Sequence, residues 1–147
     1  MGASMLAETI DIAVRNPRTG ESDYSFLPTT RSDLVEIVAK AREAQQGWQA
    51  LGVEGRIAVL SRWRDNIANS HPQFIAAVSH DTGRVNESER EAGNMGKWID
   101  RWSNAARDGL KTETKPSSNP NFHSTSDFTA IPVIGVISPW NFPMSLS

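Results

Sequence analysis

Ile10, Ile12 and Val14 alternate with polar residues, the period-two pattern of a strand with one covered face. The run ends at Asn16-Pro17-Arg18-Thr19-Gly20, where proline fixes φ and glycine accepts a turn. Tyr24 and Phe26 supply the return strand, which predicts a hairpin over residues 8–28. The period then lengthens to threes and fours, and four helices are predicted over residues 30–109. Thr30 with Asp33 three residues on marks a capping-box-like start. Leu34, Ile37, Val38, Ala41, Ala44 and Trp48 form the apolar face of that first helix. A second helix, from about Val53 to Ile67, carries Val53, Ile57, Leu60, Trp63 and Ile67 on one stripe, as a helix with one buried face requires. A third begins near Ser70 to Pro72, turns Phe74, Ile75 and Val78 inward and stops at Gly83, with proline tolerated in its first turn. The last runs from about Asn86 to Ala106 on a stripe of Ala92, Met95, Ile99, Trp102 and Ala106. Gly93 and Gly96 interrupt it, each weakening the helix by about 1 kcal/mol, and close packing is the expected reason for them.

Between Lys111 and Asn121 the residues turn to Thr, Ser, Asn and Pro, which reads as a linker. Phe122 to Phe128 alternates only loosely. The apolar run from Ile131, stopped by Ser138 and Pro139, predicts a strand buried on both faces, such as the parallel sheet of an α/β fold contains. In open α/β sheets ligands bind outside the carboxyl ends of strands, which puts Trp140, Asn141 and Phe142 where such a fold presents its chemistry.

Composition narrows the class. The 147 residues contain 22% charged and 38% hydrophobic residues with a net charge of −2, so the chain lacks the basic footprint of a nucleic-acid or acidic-membrane binder. No window approaches a membrane span, and Met1 to Ala7 lacks a basic stretch followed by an apolar core. A cytoplasmic protein acting on a small soluble molecule is therefore expected. There is no cysteine, which excludes a disulfide framework and thiolate metal sites.

The segment containing Pro132, Gly135, Val136 and the run Pro139, Trp140, Asn141, Phe142, Pro143 resembles the signature of the aldehyde dehydrogenase superfamily at the first strand of its cofactor domain. Two weaker likenesses precede it, Asn16-Pro17-Arg18-Thr19-Gly20 and Asp81-Thr82-Gly83-Arg84, the latter similar to the family's E-T-G-K. Arg101-Trp102-Ser103-Asn104 departs from the Tyr-Tyr-Ala-Gly common at that place. The resemblance implies an α/β fold whose N-terminal hairpin and helices are present here, cut off at the first strand of the cofactor-binding domain. On this reading residues 111–130 comprise a linker and an oligomerisation-type strand, and residues 131–147 the first cofactor-domain strand and the Pro-Trp-Asn loop. The resemblance further implies that Asn141 donates its side-chain amide to the oxyanion formed when a cysteine attacks an aldehyde. Ser138, Pro139, Trp140 and Asn141 would contact NAD or NADP, and Phe142 would line the substrate tunnel. The cysteine, the general-base glutamate and the glycine-rich turn of the family are missing from these residues. We therefore expect an inactive N-terminal portion of a homo-oligomeric enzyme that oxidises an aldehyde to its acid. The alternative is a short, non-catalytic binding or oligomerisation module.

Other chemistries fit poorly. His71, His80 and His123 are too scattered for a metal site and are expected at the surface or in packing, so no metal is anticipated. Gly93-Asn94-Met95-Gly96-Lys97 lacks the spacing of a phosphate loop. Glu87, Glu89 and Glu91 are expected on a solvated face that complements the helix dipole. Asn86-Glu87-Ser88 matches a glycosylation sequon by chance. Trp48, Trp63, Trp98 and Trp102 are expected as core or subunit contacts.

Overall fold

A computed structural model describes residues 10–146. Met1 to Ala7, the first two residues of the 8–28 span and Ser147 lie outside the described residues. Strand β1 (Ile12–Arg15) pairs antiparallel with β2 (Ser22–Phe26), placing Ile12 opposite Phe26 and Val14 opposite Tyr24. The turn between them is built around Asn16. Its Oδ1 accepts from the backbone N–H of Arg18 at 2.8 Å and of Thr19 at 3.2 Å, an Asx-type turn. Gly20 closes the turn at φ +82°, a conformation that glycine adopts without steric cost.

Four helices follow: α1 (Arg31–Ala50), α2 (Gly52–Asn69), α3 (His71–Thr82) and α4 (Val85–Gly109). The start of α1 is a complete capping box. Asp33 N–H donates to Thr30 Oγ1 at 3.2 Å, and Thr30 N–H donates to Asp33 Oδ2 at 3.0 Å. Helix α3 carries proline in its first turn and ends on Gly83 at φ +70°, a left-handed helix terminus that favours glycine.

The core lies among α2, α3 and α4. Ile67, Met95 and Ile99 are buried together, with Leu60, Phe74 and Met144 packed around them. The buried stripe of α4 consists of Ser88, Glu91, Ala92, Met95, Ile99 and Ser103. It is rotated from the expected one, leaving Trp102 exposed, because α4 meets α2 and α3 on one side only. Gly93 and Gly96 face that contact without being required by it. A Cβ on Gly96 would lie 3.4 Å from Arg64 Cγ, and one on Gly93 would lie 3.9 Å from His71 Nε2. Both are ordinary contacts with side chains, so the close packing expected to account for these glycines is not found.

Three further expectations are corrected. No residue of α1 is buried, and its apolar face, including Leu34 and Ile37, is exposed; few residues touch it from α2, and none of the other described helices covers it. The linker after Lys111 contains a strand, since β3 (Glu113–Pro116) pairs antiparallel with β4 (His123–Ser126). Its short, polar strands give no apolar alternation to read. Residues 131–138 form no strand and Ile137 is 98% exposed. A ladder needs a neighbour, and the two sheets among the described residues are the isolated pairs β1–β2 and β3–β4.

Candidate active site

The three segments singled out by sequence come together around the end of α3 and the start of α4. The Asn16 turn packs on Gly83, where an added Cβ would come within 3.1 Å of Pro17 Cγ. Asn16 itself is buried, and its Nδ2 lies 3.4 Å from both Asp23 Oδ1 and His80 Nε2. Tyr24 adds a second tie between the hairpin and α3, donating its hydroxyl to Asp81 Oδ1 at 3.2 Å. Thr82 then shapes the exit from α3. Its hydroxyl donates to the carbonyl of Val78 at 2.6 Å and accepts from the N–H of Arg84 at 3.2 Å.

Arg84 therefore leaves the helix junction in a defined direction, toward the Pro-Trp-Asn-Phe-Pro turn. Its Nη1 donates to the backbone carbonyl of Asn141. The guanidinium also lies over the ring of Phe142, 4.6 Å from the centroid, a cation–π arrangement. Backbone carbonyl and ring are thus held by one side chain, on either side of the peptide that follows Asn141.

Further along, α4 supplies a second hold. Glu91 is 3% exposed. Its Oε1 accepts from the N–H of Met144 at 2.8 Å and from that of Ser145 at 2.7 Å. Charge-assisted bonds of this kind are stronger than neutral ones. Met144 completes the anchorage by packing its side chain against the Ile67, Met95 and Ile99 cluster.

Of the residues expected at the site, Ser138, Pro139, Asn141 and Phe142 are half-buried, and Trp140 is 73% exposed. They sit together because they are consecutive; the structure adds the residues that hold them. Two of these are not evident from sequence. Arg84 stands out there only as part of a motif. Glu91 is expected on a solvated face, and its burial corrects that reading: it lies beside Ala92 and one turn before Met95, on the inward stripe. A carboxylate in register with a buried stripe is the available signal, because such a group must find hydrogen-bond donors.

Other polar groups take part in packing. His80 Nδ1 faces Asp23 Oδ2 at 3.2 Å. No group of three or more His, Asp or Glu side chains suited to a metal ion occurs among the described residues, and no described helix is long and apolar enough to cross a membrane. Trp48, Trp63, Trp98 and Trp102 are partly exposed rather than core residues, and they line an open groove of about 320 Å³ between α2 and α4.

Comparison with known proteins identifies the relatives of this chain. The model of the aldehyde dehydrogenase family matches residues 5–147. A protein of Mycolicibacterium smegmatis, named for succinate semialdehyde and NADP(+), is 30% identical over 142 residues, which cover 88% of this chain and 25% of that protein. N-succinylglutamate 5-semialdehyde dehydrogenase 2 of Caulobacter vibrioides is 30% identical over 129 residues, covering 87% of this chain and 26% of that protein. The solved structure of PutA from Anabaena variabilis, described as an aldehyde dehydrogenase, superposes with a TM-score of 0.88 at 41% identity, over 94% of this chain and 30% of that one. The chain spans about a quarter of the length of the curated relatives it matches. With the family model running from the first hairpin through the anchored turn, the chain belongs to the aldehyde dehydrogenase family.

Proposed function

We propose that these residues are the N-terminal part of an NAD- or NADP-dependent aldehyde dehydrogenase in which Asn141 stabilises the oxyanion of the reacting aldehyde. The observation that carries this reading is the anchorage of the Asn141 turn by Arg84 from one side and Glu91 from the other. Oxyanion stabilisation needs a donor whose position is fixed before charge develops. A turn tied to a helix through its own backbone leaves the asparagine side chain free for that task.

The residues available also suit a nicotinamide nucleotide. Ser138 and Pro139 are half-exposed, Trp140 offers an open indole face, and the backbone of residues 131–139 is committed to no sheet. Ser138, Pro139, Trp140 and Asn141 would hold the nucleotide, which when bound supplies the hydride acceptor of the oxidation. Phe142, fixed under Arg84, would form part of the wall facing the substrate. The nucleophile has to be a thiolate or an equally reactive group, and no cysteine occurs in the 147 residues. Catalysis accordingly belongs to a longer polypeptide that includes them, a homo-oligomer in which the β3–β4 hairpin contributes to subunit association.

The test is aldehyde-dependent NADH or NADPH formation, measured for the 147-residue chain and for a longer product of the same reading frame that reaches a cysteine. Activity in the longer product alone is expected. Activity in the shorter chain would refute the division of labour. A second reading, a non-catalytic binding module, is favoured by the open tryptophan-lined groove between α2 and α4; it requires that no longer product exist.

A further inference from the structure

Glu91 combines three features that a solvated helix-face carboxylate does not have. It is almost completely buried on the stripe that α4 turns toward α2 and α3. A single oxygen, Oε1, accepts from two successive backbone N–H groups, those of Met144 and Ser145. Both donors lie immediately after Pro143, which has no N–H to offer. The carboxylate thus fastens the chain where the Pro-Trp-Asn-Phe-Pro turn ends.

The hold is packed into the core at both ends. Glu91 stands one turn before Met95, a member of the buried cluster, and Met144 packs into that same cluster. Earlier in the chain, at the start of α4, Arg84 fixes the Asn141 carbonyl and covers the Phe142 ring. Residues 141–145 are therefore spanned by two clamps, one cationic on carbonyl and ring from the N-cap of α4 and one anionic on N–H groups from within the helix. The alternation matches the polarity of the backbone groups each side chain meets.

We propose that Glu91 is a positioning residue for Asn141, setting the place of the asparagine amide through the backbone of Met144 and Ser145. This rests on the oxyanion reading given above. Glu91 does not touch the reacting atoms; it removes the freedom of the turn to drift. Because both bonds end on one oxygen, a glutamine, whose Oε1 is a carbonyl acceptor, keeps the geometry. A leucine of similar size removes it.

Amide hydrogen exchange of the 147-residue chain tests the clamp without recourse to activity. Met144 and Ser145 should be protected in the wild type and in Glu91→Gln, and should exchange about tenfold faster or more in Glu91→Leu, while the amides of α2 and α3 stay protected. Equal protection in Glu91→Leu, or equal loss in Glu91→Gln, overturns the proposal. Should Glu91→Leu not fold, Ser145→Pro decides, because it deletes one donor and leaves α4 whole; faster exchange of Met144 is then expected, and an unchanged rate contradicts the clamp. In the longer, active product Glu91→Leu should lower kcat by about a hundredfold, the scale on which an ångström of misplacement acts. Glu91→Gln should restore most of that loss, and the KM for aldehyde should change little. A kcat unaffected by Glu91→Leu while Asn141→Ala reduces it would overturn the positioning role alone. A kcat unaffected by Asn141→Ala would instead remove the oxyanion reading and the positioning role with it, leaving the exchange result to report the clamp as structure.

Discussion

Arg84 lies over Phe142 with its guanidinium 4.6 Å from the ring centroid, although the two stand far apart in the chain. The same guanidinium donates to the carbonyl of Asn141. Lysine can offer a charge there but no planar group that stacks and donates at once. Arg84→Lys should therefore loosen the turn modestly, and Arg84→Met should lose the donor entirely along with about 0.5–1 kcal/mol of cation–π attraction or more. Trp140 fluorescence anisotropy can be isolated by replacing the other four tryptophans with phenylalanine. It should be highest in that background with Arg84 intact, lower with Arg84→Lys and lowest with Arg84→Met. An unchanged anisotropy would mean that Arg84 does not hold the turn.

The glycines at 83 and 96 should respond to alanine in opposite directions. Gly83 has φ +70°, and a Cβ there would stand 3.1 Å from Pro17, so Gly83→Ala combines backbone strain with a clash and should destabilise by more than about 1 kcal/mol. Gly96 is helical, and its Cβ would meet only the methylene stem of Arg64 at 3.4 Å. Gly96→Ala should stabilise by up to about 1 kcal/mol through helix propensity. Urea unfolding midpoints decide both. Equal effects would contradict the account of why each glycine is present.

Helix α1 depends on its cap, because no residue along it is buried and among the described helices only α2 touches it. Thr30→Ala should cost about 0.5–2 kcal/mol of local helix stability, read as faster amide exchange over the first turn. The hydrogen bonds from Thr30, side chain first and then backbone, hold the Asp33 carboxyl below its ordinary value of 3.8. A depressed folded value means that the ionised form is favoured by the cap. The contribution is complete above 3.8 and disappears as pH falls through the lower folded value. Exchange protection at the start of α1 should thus weaken in strong acid, and Asp33→Asn should flatten that dependence. A pH response that survives Asp33→Asn would assign it to another group.

Ile134, Val136, Ile137 and Trp140 form an exposed apolar run on unpaired backbone, in a chain whose α1 face and tryptophan groove are also open. Such surface associates. The purified 147-residue chain should be oligomeric or poorly soluble in light scattering, and Ile137→Lys should shift it toward monomer. A wild-type chain that stays monomeric at high concentration would show that the run is harmless.

Local grammar is the legible part of this chain. The hairpin, the Thr30 cap, and the proline start and glycine stop of α3 each follow from a few neighbouring residues. So does the place of the candidate site, because Pro139 to Pro143 is a contiguous motif. What holds the site is not legible in the same way. Arg84 and Glu91 act on residues distant in the chain, and only the register of Glu91 with Ala92 and Met95 hints at its burial. The 131–138 run fails as a strand because apolar sequence specifies a preference for pairing, while a ladder also needs its neighbour.

The most direct measurement is kcat for Asn141→Ala in a longer, active product of this reading frame, taken alongside its affinity for the nicotinamide nucleotide. Removal of one oxyanion donor should lower kcat by about a hundred- to a thousandfold, with nucleotide affinity largely retained. A kcat equal to that of the wild type would contradict the claim that this turn carries the oxyanion donor.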